Sequence, residues 1–132
     1  MVTVLADSSA WIEFFRKTGS PVHMALADAI RRDEVATTDV VILEVLTGAA
    51  RTHFDQIRRL MQTRHYLAQE PFADVTFAVD LYRNCRSRGH TPRGVNDCLI
   101  AAVAIRNEVP VLELDKDFEI LARYSPLELA SR

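Results

Sequence analysis

Apolar residues occur in short blocks, and the spacing switches repeatedly between strand-like and helix-like. Residues 2–6 are short, β-rich and apolar, which predicts a buried strand. Asp7-Ser8-Ser9 supplies cap residues for a helix over about 9–16, ended by Thr18-Gly19. Ser20 as N-cap, with Pro21 at the first helical position, opens a second helix to about Arg32. Val35-Ala36-Thr37 predicts a short strand, and Thr38 or Asp39 caps a third helix running to about Ala49. Thr52 opens a fourth, in which Phe54, Ile57, Leu60 and Met61 recur at a spacing of three to four. Tyr66-Leu67-Ala68 reads as a strand, residues 72–88 as a helix closed by Gly89, and 90–94 as a loop. Residues 95–107 predict a helix that is apolar nearly all round and therefore buried. Residues 110–114 predict a strand, 118–124 a short helix, and 126–129 an edge strand.

Short apolar strands alternating with helices imply a mostly parallel sheet covered on both faces, an α/β fold of three α/β/α layers. At 132 residues, with no repeat or linker, the chain reads as a single domain spanning 1–132. No apolar stretch reaches the ~18 residues of a membrane span. The first residues lack the basic region and cleavage site of a signal peptide. Cys85 and Cys98 have no zinc-ligand spacing and read as small buried hydrophobes in a reducing cytoplasm.

Charge adds the chemistry. Asp7 ends the first apolar run, Glu44 interrupts Val40–Leu46, Asp97 heads Cys98–Ile105, and Asp115 follows Val109–Leu114 with Asp117 two residues on. A carboxylate in an apolar setting is costly unless paired, protonated or bound to metal. Converging carboxylates are the usual oxygen ligands of Mg²⁺ or Mn²⁺. Asp7 and Asp115 are expected at carboxyl ends of strands, where open α/β sheets place their functional crevice. Each acid also has a plain alternative. Asp7 is a good N-cap, and Asp97, Asp115 and Asp117 suit helix N-termini. Glu44 is harder to explain plainly, because it sits mid-helix with no basic residue at i±3 or i±4. Ser9 is either a first-turn residue or a hydroxyl that orients a ligand carboxylate.

The net charge is −2, so without these five acids the remainder is −2 + 5 = +3. Fourteen of the sixteen basic residues are arginine, whose planar fork suits phosphate. Arg83, Arg86, Arg88 and Arg93 cluster before Asp97, as either a solvated face or a phosphate-gripping edge. No Ser-His-Asp or Cys-His arrangement and no glycine-rich phosphate loop is readable, and the four histidines share no motif.

The blocks Asp7-Ser8-Ser9-Ala10-Trp11-Ile12-Glu13, Thr38–Leu46, Asn96–Ala104 and Leu114-Asp115-Lys116-Asp117-Phe118 occur in an order that resembles the PIN-domain ribonucleases, specifically the VapC-type toxins of bacterial toxin–antitoxin pairs. The resemblance covers nearly the whole chain. It implies catalytic, metal-binding Asp7, Glu44, Asp97 and Asp115, with Asp117 as a further metal ligand, Ser9 as the small hydroxyl after the first Asp, and one or two Mg²⁺ or Mn²⁺ ions. Glu113 and Leu114 stand where relatives often carry Thr, Ser or Asn. The implied reaction is hydrolysis of an RNA phosphodiester, in tRNA or another structured RNA, leaving 5′-phosphate and 3′-hydroxyl ends and inhibiting growth. Arg86, Arg88 and Arg93 become the RNA-binding candidates. The family also implies a homodimer and a cognate VapB-type antitoxin, through which alone DNA is contacted. The antitoxin would occupy an apolar groove, with Phe14, Phe15, Ile57, Leu60 and Met61 as candidates. Rival readings are a non-catalytic PIN-like nucleic-acid-binding or scaffold module, a DNA-directed nuclease of the same fold, and a receiver-like domain. The last needs a lysine after a late strand, and Lys116, lying between two acids, is the only candidate.

Overall fold

The computed structural model describes residues 1–132. The strands are β1 (Val4–Ala6), β2 (Val35–Thr37), β3 (His65–Tyr66) and β4 (Val111–Leu112). The helices are α1 (Ser8–Arg16), α2 (Pro21–Arg31), α3 (Asp39–Gly48), α4 (Phe54–Gln62), α5 (Ala73–Ser87), α6 (Val95–Arg106) and α7 (Lys116–Arg123), with a 3₁₀ turn at Arg51–His53. The four strands form one all-parallel sheet in the order β3-β2-β1-β4. Leu5 pairs with Ala36 on one side and Val111 on the other.

Val4, Leu5 and Ala6 are all buried, as are Val35, Ala36 and Thr37. Successive strand residues point to opposite faces, so burial without alternation means that helices cover both faces. α1 packs along α2, and α5 packs along α6, which also meets α7. α3 touches α1 and α6. The core joins Trp11, Leu26, Ile100, Leu112 and Phe118 around the strands. α6 buries Cys98 and Ile100–Ala104, as its unbroken apolar run predicts. Cys85 and Cys98 are free and buried, and desolvation pushes the Cys98 thiol up to about 12. No helix is long and apolar enough to cross a membrane.

Ser20 caps α2 through His23 N–H with Pro21 at N1, as its sequence dictates. The boundaries that differ from expectation have local causes. β4 stops at Leu112, not 114, because the Leu114 N–H turns to Ser9 Oγ and the Asp115 N–H to Glu113 Oε2. β3 is His65–Tyr66, not 66–68: the Leu67 carbonyl accepts from Thr38 Oγ1 and the Ala68 carbonyl from Arg106. α7 starts at Lys116, two residues early, because Asp115 caps it. The expected strand at 126–129 is only an isolated parallel bridge between Leu129 and Val111.

One buried ion pair ties α5 to α6. Asp74, 1% exposed, receives Arg106 Nε at 2.9 Å and Nη2 at 2.8 Å, and accepts the Glu70 N–H at 2.7 Å. Arg106 is thus the partner that makes Asp74 tolerable inside, and it holds the Asp74 carboxyl below its ordinary value. Arg106→Ala leaves that charge unpaired and is expected to cost roughly 3 kcal/mol, read by urea denaturation.

Candidate active site

The connectivity of the sheet places the acids. β1 lies between β2 and β4, so the chain leaves β1 toward one edge and later returns to its other side. The gap beyond the carboxyl ends of β1 and β4 is therefore a topological switch point, where open α/β sheets hold their crevice. Asp7 follows β1, and its N–H donates to Leu112 O at 3.0 Å. Glu113 and Asp115 follow β4. Asp97 lies in the first turn of α6, and Glu44 projects from the second turn of α3.

Capping and site-building are not alternatives here. Asp7 is the N-cap of α1: Oδ2 accepts from Ser9 N–H at 3.1 Å and from Ser9 Oγ at 2.7 Å. Its other oxygen, Oδ1, is buried without any hydrogen-bond partner. Asp115 likewise caps α7, with Oδ1 accepting from Asp117 N–H at 2.9 Å. Ser9 ties the two together, since the hydroxyl that donates to Asp7 also accepts the Leu114 N–H at 2.9 Å. Carboxylate oxygens of Asp97, Asp115 and Asp117 lie within 4.8 Å of one another.

The five acids share one field. Asp97 is pushed up to about 7, first by desolvation, then by repulsion from Asp7, Asp115, Asp117 and Glu44. Burial also raises Asp7, opposed by the Ser9 hydrogen bonds. Glu44 is raised by desolvation and then by Asp7, while the Ser8 and Asn96 side chains oppose the shift. An orphaned carboxylate oxygen beside crowded, proton-retaining carboxylates is the donor set a hard divalent cation takes: all oxygen, anionic and converging. The residues fit a divalent metal ion.

Three supporting residues are not among those the sequence pointed to. Ser8 Oγ donates to Glu44 at 3.2 Å, and its signal lay in the doubled serine after Asp7. Asn96 reaches Glu44 from beside Asp97. Glu113, visible in the sequence only as a departure from the family pattern, is 4% exposed and holds Asp115 N–H at 2.7 Å; nothing local in the sequence marks it.

Arg86 and Arg88 are exposed, Arg88 lying over the Tyr124 ring. Arg93 is also exposed, yet its guanidinium rests on the acids: Nη2 is 2.9 Å from Asp115 Oδ1, and Nε is 3.6 Å from Asp117 Oδ2. A groove of about 1140 Å³ begins at Ser8 and Glu44 and runs between α1 and α4. Phe14, Phe15, Ile57 and Leu60 line it with Ile12, and Arg16, Lys17 and Arg59 add positive charge. Met61 does not belong to it: one turn beyond Ile57, it lies on the flank of α4 that faces the core, at 2% exposure.

The PIN-domain family model matches residues 4–124. The chain is 37% identical to ribonuclease VapC11 of Mycobacterium tuberculosis over 134 aligned positions, covering 97% of this chain and 98% of that protein. Among solved structures it resembles VapBC2 of Rickettsia felis bound to a promoter DNA fragment, with a TM-score of 0.74, 17% identity and 98% coverage of each chain. It also resembles VapC20 of M. tuberculosis, described as a sarcin–ricin-loop-cleaving toxin, with a TM-score of 0.62, 15% identity, and coverage of 96% of this chain and 99% of that one. At these identities the two structures speak for the fold.

A carboxyl whose folded pKa is raised binds its proton more tightly in the folded state. Its stabilisation is complete below the unfolded pKa and is lost as pH rises through the folded value. Asp7, Glu44, Asp97 and Glu113 are all shifted this way. In EDTA, the melting temperature should therefore fall as pH rises from about 5 to 8. Saturating Mn²⁺ should remove that fall, because the ion replaces the protons. Thermal melts across this window check both, and a flat profile in EDTA would mean the acids are already neutralised without metal.

Proposed function

The chain belongs to the PIN-domain family, and we propose that it is a VapC-type endoribonuclease toxin, a single PIN domain over 1–132, that hydrolyses RNA phosphodiesters with Mg²⁺ or Mn²⁺. The observation that carries this reading is the buried, unpartnered Oδ1 of Asp7 among the carboxylates that raise Asp97. Asp7, Glu44, Asp97 and Asp115 hold the ion or ions, with Asp117 beside them. Bound there, a divalent cation lowers the pKa of water and offsets charge on the phosphate. The protein's own part is orientation. Ser9 keeps Asp7 turned, and Ser8 and Asn96 steady Glu44. In-line attack of water on phosphorus, with departure of the 3′ oxygen, leaves 5′-phosphate and 3′-hydroxyl ends and makes no use of the 2′-OH.

Arg86 and Arg88, exposed on α5 and at its end, supply backbone contacts that do not discriminate sequence. The substrate class is tRNA or another structured RNA with an exposed loop, where unstacked bases are accessible.

The partner is a VapB-type antitoxin whose apolar, acidic segment fills the groove lined by Phe14, Phe15, Ile57 and Leu60. The groove exceeds the ~300–1,000 Å³ of small-molecule pockets and opens beside Glu44, so an occupant also covers the site. Contact with promoter DNA comes through that partner. Phe72, Val75 and Val79, exposed by 83%, 43% and 41%, form an apolar stripe at the start of α5, and we assign it to a homodimer. The compartment is the cytoplasm, where the RNA is.

Purified protein freed of antitoxin should cut total RNA into discrete fragments with Mn²⁺ and not with EDTA. Asp97→Asn should lower the rate by roughly a hundredfold or more while leaving the circular-dichroism spectrum unchanged. No cleavage by well-folded protein would favour a non-catalytic binding module, and cleavage of single-stranded DNA in preference to RNA a DNA-directed nuclease. Ile57→Glu places an unpaired charge in the groove. It should abolish co-purification with the antitoxin and spare cleavage; retained capture would remove the groove from the interface.

A further inference from the structure

Arg93 is attached to the acid cluster in two separable ways. Its backbone N–H donates to Asp117 Oδ2 at 2.9 Å. Its guanidinium forms ion pairs with Asp115 and Asp117, two of the three residues whose oxygens converge within 4.8 Å. The backbone bond persists whichever way the side chain turns. The guanidinium is held by little else, since the side chain is 76% exposed and makes no other polar contact.

Charge decides which cation keeps the shared oxygens. A guanidinium spreads one positive charge over three nitrogens, whereas a hard divalent cation brings two charges and needs direct carboxylate oxygens. Exposed ion pairs are weak, so the ion wins. With the ion in place, the nearby guanidinium is repelled by it and has lost its acceptors. A negative group beside the ion, such as a phosphate, is then its natural acceptor, because arginine matches phosphate in a bidentate fork.

We propose that Arg93 is a tethered counter-cation: its side chain holds Asp115 and Asp117 together while no metal is bound, leaves them when the divalent ion enters, and then grips a backbone phosphate of the substrate. This rests on the metal-site reading above and adds to it a positioning residue that couples metal loading to RNA affinity. By linkage, whatever Arg93 contributes to RNA binding in the presence of metal, RNA returns to metal binding.

The test is Mn²⁺ titration calorimetry on the full chain for wild type, Arg93→Gln, Arg93→Lys and Arg88→Gln. Arg88→Gln removes an equal charge from a guanidinium that lies on Tyr124 instead of the acids. Removing the competitor should tighten Mn²⁺ binding on the order of fivefold in Arg93→Gln, with Arg93→Lys in between and Arg88→Gln unchanged. A merely structural role would weaken it. A second readout is anisotropy with a single-stranded phosphorothioate RNA, with Mn²⁺ or with EDTA. Wild type should gain affinity on adding Mn²⁺, and Arg93→Gln should lose most of that gain. Unchanged or weaker Mn²⁺ binding in Arg93→Gln, while wild type binds normally, overturns the proposal and leaves the metal site standing. No Mn²⁺ binding by wild type overturns the metal site itself, and the Arg93 proposal with it.

Discussion

Mutual repulsion among carboxylates at the carboxyl end of the sheet is the constraint around which the rest of the site is arranged. Asp7, Glu44, Asp97, Asp115 and Asp117 come from four separate stretches of chain and are brought within one another's field. Left alone, such a cluster works against the fold, because desolvation and like charge both penalise ionisation. The protein answers with fixed dipoles and hydroxyls. Asp7 and Asp115 sit at the N-termini of α1 and α7, where their oxygens satisfy helix N–H groups and favourable partial charge is concentrated. Ser8, Ser9 and Asn96 supply further donors. These donors leave Asp7 Oδ1 without a hydrogen-bond partner.

The scaffold that imposes this arrangement is rigid where it matters. β1 is buried on both faces and paired on both sides, so the exit point of Asp7 is set by the sheet. β4 is only two residues long, yet Val111 is bridged to Leu129 and the continuation of the strand is pinned through Ser9 and Glu113. The short length of β4 is a consequence of the site: the backbone groups that would extend the ladder are diverted to orient the acids. Strand extension and carboxylate orientation compete for the same N–H groups, and here the side chains of Ser9 and Glu113 take them.

The groove next to the site draws on the same helices. α1 carries Asp7's cap on one end and, through Phe14 and Phe15, the apolar wall of the groove on the other. Trp11, fully buried, stacks against Phe15 and meets Phe14 edge-on, so that wall is braced from the core. A ligand lying in the groove is therefore held close to Glu44 by geometry alone.

Local chemistry along the chain determined most elements and the identity of the acids. Ser20-Pro21 starts a helix and Val35-Ala36-Thr37 forms a strand, both as read, and the acids interrupt or border apolar blocks along the sequence. Capping and periodicity are short-range, which is why they are legible. The tertiary structure alone decided the rest, because it depends on contacts between distant residues. That applies to Ser9 accepting from Leu114, to Ser8 supporting Glu44, and to the buried role of Glu113. It applies to Met61, whose spacing matches the groove residues Ile57 and Leu60 but whose angular position on α4 turns it into the core. It applies most to Arg93. In the sequence it is one of four arginines that precede Asp97; only the return of β4 beside β1 brings Asp115 and Asp117 beneath its guanidinium.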